Sequence, residues 1–187
     1  MWTAHGRYPT NTPGWWGGAH PFGLLSYSVV HNGEISSYDA NRRYIEMFGY
    51  KCNLQTDTEV ITYIIDFLLR VKHLTLEEVA KVISASFWTT INDKSEEDRR
   101  QEIFLRKAFP SLLINGPFSI IFGFSGGLMA LNDRLKLRSM VCAEKGSLAF
   151  VSSEECGIRV IQPELDNIFA PAGGQPVIFT LREGAER

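Results

Sequence analysis

Between Phe118 and Val151, short β-prone runs follow one another at 118–124, 128–131, 138–143 and 147–151, with only turns between them. Links this short force antiparallel pairing, because a parallel pair needs a crossover of a dozen or more residues. An earlier run, Leu24 to His31, stops at Asn32-Gly33, a dipeptide that accepts positive φ at low cost and so predicts a turn. Pro176 to Leu181 predicts a last strand. Strands that cluster rather than alternate with helices predict a layered α+β fold or an αββα sandwich, and argue against a doubly wound parallel sheet.

The helical pattern lies mostly in the middle of the chain. Asp39 to Phe48 places Tyr44, Met47 and Phe48 at helical spacing and meets a stop at Gly49. Thr56-Asp57-Thr58-Glu59 has the form of a capping box, and Val60, Ile61, Ile64, Ile65, Leu68 and Leu69 then mark one helical face. A second box, Thr75-Leu76-Glu77-Glu78, opens another helix, and a polar link follows from Asn92 to Arg100. Two to three packed helices are expected here. Ser152-Ser153-Glu154-Glu155 predicts one more helix start, and residues 1–23, rich in Gly, Pro, Asn, Thr and Trp, predict a structured loop. The whole of 1–187 is expected to form one domain.

A formal net charge of -2 gives no general attraction to nucleic acid or to an anionic membrane. Apolar stretches such as Leu24–Val30 are far shorter than the roughly 20 residues of a membrane-spanning helix. The N-terminal residues lack the basic-then-apolar pattern of a secretory signal, so a cytoplasmic setting is expected. Cys52, Cys142 and Cys156 are an odd count with no metal-ligand spacing, which predicts three reduced, buried thiols rather than disulfides or a zinc site.

Several residues have chemical potential that the bare pattern leaves open. Arg7, in a loop with Tyr8, Thr10, Asn11 and Thr12, could hold a carboxylate through its planar fork, or could be an exposed loop arginine. Asn32 and Gly33 could aim a side-chain amide and a backbone N–H at one spot, as an oxyanion hole requires, or could form an ordinary hairpin turn. Asp57 could bind a ligand's ammonium group or simply complement the helix dipole. His20 could be a base or a loop hydrogen-bonder.

In order along the chain, His5-Gly6-Arg7-Tyr8-Pro9-Thr10-Asn11-Thr12, Ala19-His20-Pro21-Phe22, His31-Asn32-Gly33-Glu34-Ile35 and Thr56-Asp57-Thr58-Glu59 resemble the glutaminase domain of glutamate synthases, within the class II, N-terminal-nucleophile amidotransferases. Asn132-Asp133-Arg134 and Phe150 to Glu155 are similar to later segments of that family. The resemblance implies a four-layer αββα sandwich and hydrolysis of L-glutamine to glutamate and ammonia through a γ-glutamyl thioester. It implies that Arg7 binds the α-carboxylate, Asp57 the α-ammonium, and Asn32 and Gly33 the oxyanion, with Thr10 and His20 shaping the substrate pocket.

The family's nucleophile is an N-terminal cysteine whose own amine is the base. Residue 1 here is Met, and the three cysteines are internal. The expectation is therefore a domain shortened at its N-terminal side, missing its first strands, which binds glutamine and does not hydrolyse it alone. The alternative is a catalytically inactive amino-acid-binding or assembly module. The resemblance further implies a glutamate synthase partner domain or subunit that carries FMN and an iron–sulfur cluster, with no cofactor in this domain. An exposed sheet edge would allow a homo-oligomer.

Overall fold

The computed structural model describes residues 1–6 and 16–181. Its strands are β1 (Phe22–Leu24), β2 (Tyr27–Gly33), β3 (Phe118–Phe124), β4 (Gly127–Asn132), β5 (Val141–Lys145), β6 (Leu148–Ser152), β7 (Asn167–Phe169) and β8 (Val177–Thr180). They form one sheet in the order β1-β2-β3-β4-β8 and a second in the order β6-β5-β7, with every neighbouring pair antiparallel. The helices are α1 (Tyr38–Glu46), α2 (Asp57–Asp66), α3 (Leu76–Ile83), α4 (Trp88–Asn92), α5 (Glu96–Ala108) and α6 (Glu155–Ile161).

The alternation of each strand decides the layers. Val29 of β2, Phe118, Ile120 and Phe122 of β3, and Met129 and Leu131 of β4 share a core with α2 and α3, which contribute Val60, Ile61, Ile64, Ile65, Val79 and Ile83. Burying side chains of this size is worth roughly 1.5–3 kcal/mol each, so this helix-on-sheet interface is the main stabilising contact. On the opposite face, Ala130 of β4 packs with Met140 and Cys142, and with Val151, Val177 and Phe179, which joins the two sheets. Helix α6 covers the second sheet through Ile158. The layers are helix, sheet, sheet, helix, as expected, with a thin outer helical layer.

Four sequence expectations are corrected. Asn32-Gly33 is the end of β2 rather than a hairpin turn: both residues pair with β3, opposite Ser119 and Phe118, and the β1–β2 hairpin turns earlier, where Leu25 takes φ 53°. Long-range pairing here overrode the local turn preference. The box at Thr56 does not form, and Thr56 makes no side-chain cap, because the Glu59 carboxylate is turned toward the N–H groups of Asn53 and Leu54 instead. The box at Thr75 does form, with Glu78 N–H donating to Thr75 and Thr75 N–H donating to Glu78.

The segment 92–100 is not a link, since Ser95 caps α5, which runs through it; residues 56–108 therefore hold four helices rather than two or three. Its charged first turn, Glu96, Glu97 and Asp98, suits a helix N-terminus. Strand β7 went unpredicted because three residues paired only to β5 carry too little pattern to see.

Candidate functional site

The two faces of β2 present different chemistry. Val30 and Asn32 point away from the helices into a cavity of about 460 Å³ between the sheets. Ser119 and Ile121 of β3 form its floor beside them, Val151 and Ser152 of β6 and then Ser153 form the far wall, and Ala4, His5 and Gly6 close one side. The first residues of the chain reach this place along the same face of the sheet, where the Thr3 and Ser28 hydroxyls are 2.8 Å apart. Asn32, Ser119 and Asn132 are cross-strand neighbours, so one polar row crosses β2, β3 and β4.

Gly33 is fixed by sterics. Its φ is 155°, and a Cβ there would lie 2.1 Å from the carbonyl oxygen of Pro117. Only glycine lets β2 approach the start of β3 this closely. Glu34 N–H then donates to the same Pro117 carbonyl at 2.9 Å, which closes the ladder.

His31 faces the helices. Its Nδ1 stands 3.3 Å from Oδ1 of Asp57, the first residue of α2, and the imidazole is 2% exposed. Burial works against ionisation of Asp57, yet the hydrogen bond and charge of His31, with backbone N–H donors of Ile35 and Thr58, hold its carboxyl below the usual carboxylate range. His20 accepts from His31 N–H at Nδ1 (3.3 Å), lies 3.0 Å from Thr58 Oγ1 at Nε2, and stacks on His5 with ring centroids 4.3 Å apart. Burial, followed by the neighbouring His5 and His31, lowers the His20 pKa to about 4 against the opposing pull of Asp57. His20 is a neutral ring at physiological pH.

The structure thus joins His20 and Asp57 in one hydrogen-bonded group and sets Asn32 on the cavity wall. Arg7 and Thr10 lie outside the described residues. His31, Thr58 and His5 carried no role in the sequence reading, although the period of two along β2 puts residue 31 opposite residue 32 and thus toward the helices.

No cysteine reaches the cavity wall. Cys52 is in the helix-side core, Cys142 is between the sheets, and Cys156 is exposed on α6. The expectation of three buried thiols is therefore corrected for Cys156, which sits in the first turn of a thin covering helix. The described residues contain no group of three or more His, Cys, Asp or Glu side chains placed to hold a metal ion. Nor does any described helix have the length and apolarity to cross a membrane.

No protein-family model matches the chain. An uncharacterized protein of Archaeoglobus fulgidus is 51% identical over 182 residues, 97% of this chain and 48% of that protein. The glutamine--fructose-6-phosphate aminotransferase (isomerizing) of Vibrio vulnificus is 29% identical over 164 residues, 84% of this chain and 24% of that enzyme. The chain thus spans about half or less of the relatives it matches. A solved structure of the allosteric regulatory enzyme of purine biosynthesis superposes with a TM-score of 0.65 at 18% identity, over 94% of this chain and 32% of that one. The glutamine phosphoribosylpyrophosphate amidotransferase of B. subtilis gives 0.54 at 18% identity, over 82% and 27%.

The chain shares its fold with the matching parts of these two solved enzymes. On this scaffold Asn32 at the end of β2 and the face of β3 line the cavity between the sheets, while Asp57 stands at the start of α2.

Proposed function

We propose that this chain is the glutamine-binding body of an amidotransferase domain of the glutamate-synthase kind, which releases ammonia from L-glutamine. The observation that carries the reading is the split between two adjacent residues. Asn32 faces the inter-sheet cavity, while His31 holds the Asp57 carboxylate in its ionised form. An amide donor on the cavity wall suits a tetrahedral oxyanion, and an ionised carboxylate suits an α-ammonium group. In this reading Asn32 and Gly33 serve the oxyanion, Asp57 the ammonium, Arg7 the carboxylate, and Thr10 and His20 the shape of the pocket.

The similarity to glutamine-using transferases supports glutamine as the ammonia donor. The glutamate-synthase kind rests on the strings around Arg7 and on His31-Asn32-Gly33-Glu34-Ile35. In this reading an iron–sulfur cluster and FMN would belong to a synthase partner rather than to this chain. A thioester would need a thiol other than Cys52, Cys142 and Cys156. That same observation favours a second reading, an amino-acid-binding module without hydrolysis.

Calorimetric titration of the full-length protein with L-glutamine, together with an ammonia-release assay, tests both. Asp57→Ala is expected to weaken binding by roughly 30-fold or more, since a charged ligand group loses its partner. Asn32→Ala is expected to keep binding and to slow ammonia release by about 100-fold or more. Binding without any release in the wild type supports the second reading, and no glutamine binding at all overturns both.

A further inference from the structure

Asp57 does not stand alone at the start of α2. Its Oδ1 is 3.3 Å from His31 Nδ1 and 3.4 Å from Thr58 Oγ1, Thr58 Oγ1 is 3.0 Å from His20 Nε2, and His20 Nδ1 is 3.3 Å from the backbone nitrogen of His31. The four groups form a closed circuit between β2, the segment before β1 and the first turn of α2.

The direction of every bond in the circuit follows from one fixed donor. The His31 backbone N–H can only donate, so His20 Nδ1 must be the bare acceptor nitrogen. A neutral His20 then carries its proton on Nε2 and donates it to Thr58 Oγ1. The Thr58 hydroxyl hydrogen is thereby free for Asp57 Oδ1. His31 Nδ1 faces the same carboxylate oxygen and donates as well, while its buried Nε2 has no hydrogen-bond partner among the described residues. The lowered basicity of His20 agrees with this pattern, because a proton on Nδ1 would break the bond to His31.

We infer that His20 and Thr58, with His31, are positioning residues that orient the Asp57 carboxylate and keep it an anion for a ligand's ammonium group. Thr58 is fully buried, so its hydroxyl can serve only inside this circuit. The assignment rests on the proposed role of Asp57, but the circuit itself can be tested without any ligand.

The experiment is a ¹³C carboxyl titration of Asp57 in the full-length protein and in Thr58→Val, Thr58→Ser and His20→Phe, with L-glutamine affinity measured in parallel. Thr58→Val is nearly isosteric and removes only the hydroxyl. The Asp57 pKa is expected to rise by roughly half a pH unit or more in Thr58→Val, the equivalent of one lost hydrogen bond, and by a smaller amount in His20→Phe, where the Thr58 hydroxyl keeps its bond to Asp57 but loses the donor that orients it. Thr58→Ser, which keeps the hydroxyl, is expected to restore it. Glutamine affinity should fall about three- to tenfold in the first two variants and stay near wild type in Thr58→Ser.

Should Thr58→Val not fold, His20→Phe decides alone, since its ring still covers His5. An unchanged Asp57 titration in every folded variant overturns the inference. A raised Asp57 pKa in a protein that never binds glutamine upholds the circuit and overturns only the proposed function.

Discussion

The imidazole of His31 reaches Asp57 at 3.3 Å, and this contact ties the last turn-proximal residues of β2 to the first residue of α2. Its consequence extends beyond the pair. With residue 31 committed to the helix side, the strand's period of two commits Asn32 to the cavity side, so one short strand end serves both faces of the sheet.

The neutral state of His20 makes stability depend on pH. Its folded pKa is lowered from 6.5 to about 4, so between these values the unfolded chain binds more protons than the folded one. Stability should therefore be full above pH 6.5 and fall as pH drops toward 4, by about 1–3 kcal/mol from this group. The lowered pKa of Asp57 acts in the same direction at more acidic pH. Urea unfolding at pH 7.0, 5.5 and 4.5 measures the slope, and His20→Phe should flatten it.

Gly33→Ala would place a methyl 2.1 Å from the Pro117 carbonyl oxygen and 2.8 Å from Phe118 Cα, at a φ that L residues rarely take. Both obstacles are backbone, so the β2–β3 pairing must shift. A loss of about 2–4 kcal/mol is expected from strain and the broken ladder, read as a lower urea midpoint. Gly6→Ala, where a Cβ would meet nothing within 4 Å, is the matched control.

Glu59 is a buried carboxylate, 1% exposed, that accepts from Asn53 N–H at 3.1 Å and Leu54 N–H at 2.9 Å, with the Tyr63 hydroxyl at 3.3 Å. Burial, with Glu59 alongside, raises the Tyr63 pKa to about 12. Glu59→Ala orphans two backbone donors and should cost about 2–5 kcal/mol. Glu59→Gln keeps one acceptor oxygen and should cost less. Differential scanning calorimetry on both variants checks the order.

The thiols should separate by accessibility. Burial, followed by nearby Glu59 and Glu46, pushes Cys52 up to about 11, and burial with Glu144 pushes Cys142 up to about 12. Cys156 is exposed. One equivalent of a thiol reagent should react quickly at pH 8 in the folded protein, and three after denaturation.

Much of the secondary structure was legible because it follows periods of 2 and 3.6: β3, β4, β5, β6 and α2 fall within a few residues of their sequence bounds. The errors share a cause. Asn32-Gly33 reads locally as a turn, and Thr56 to Glu59 reads locally as a capping box, but β3 claimed the first and the N–H groups of Asn53 and Leu54 claimed Glu59. Local propensities of about 1 kcal/mol yield to such tertiary contacts.

By itself, the sequence determined the antiparallel pairing of the clustered strands, since turn-length links cannot join a parallel pair. It also singled out Asn32, Gly33, Asp57 and His20 through residue type and order. Only the tertiary structure decided that Asp57 meets His31 rather than standing free, that His20 is a neutral link to Thr58, and that Asn32 looks into a cavity between two sheets. Those facts depend on which faces of separate elements meet, and on the desolvation that meeting brings. Neither quantity exists along a single stretch of chain.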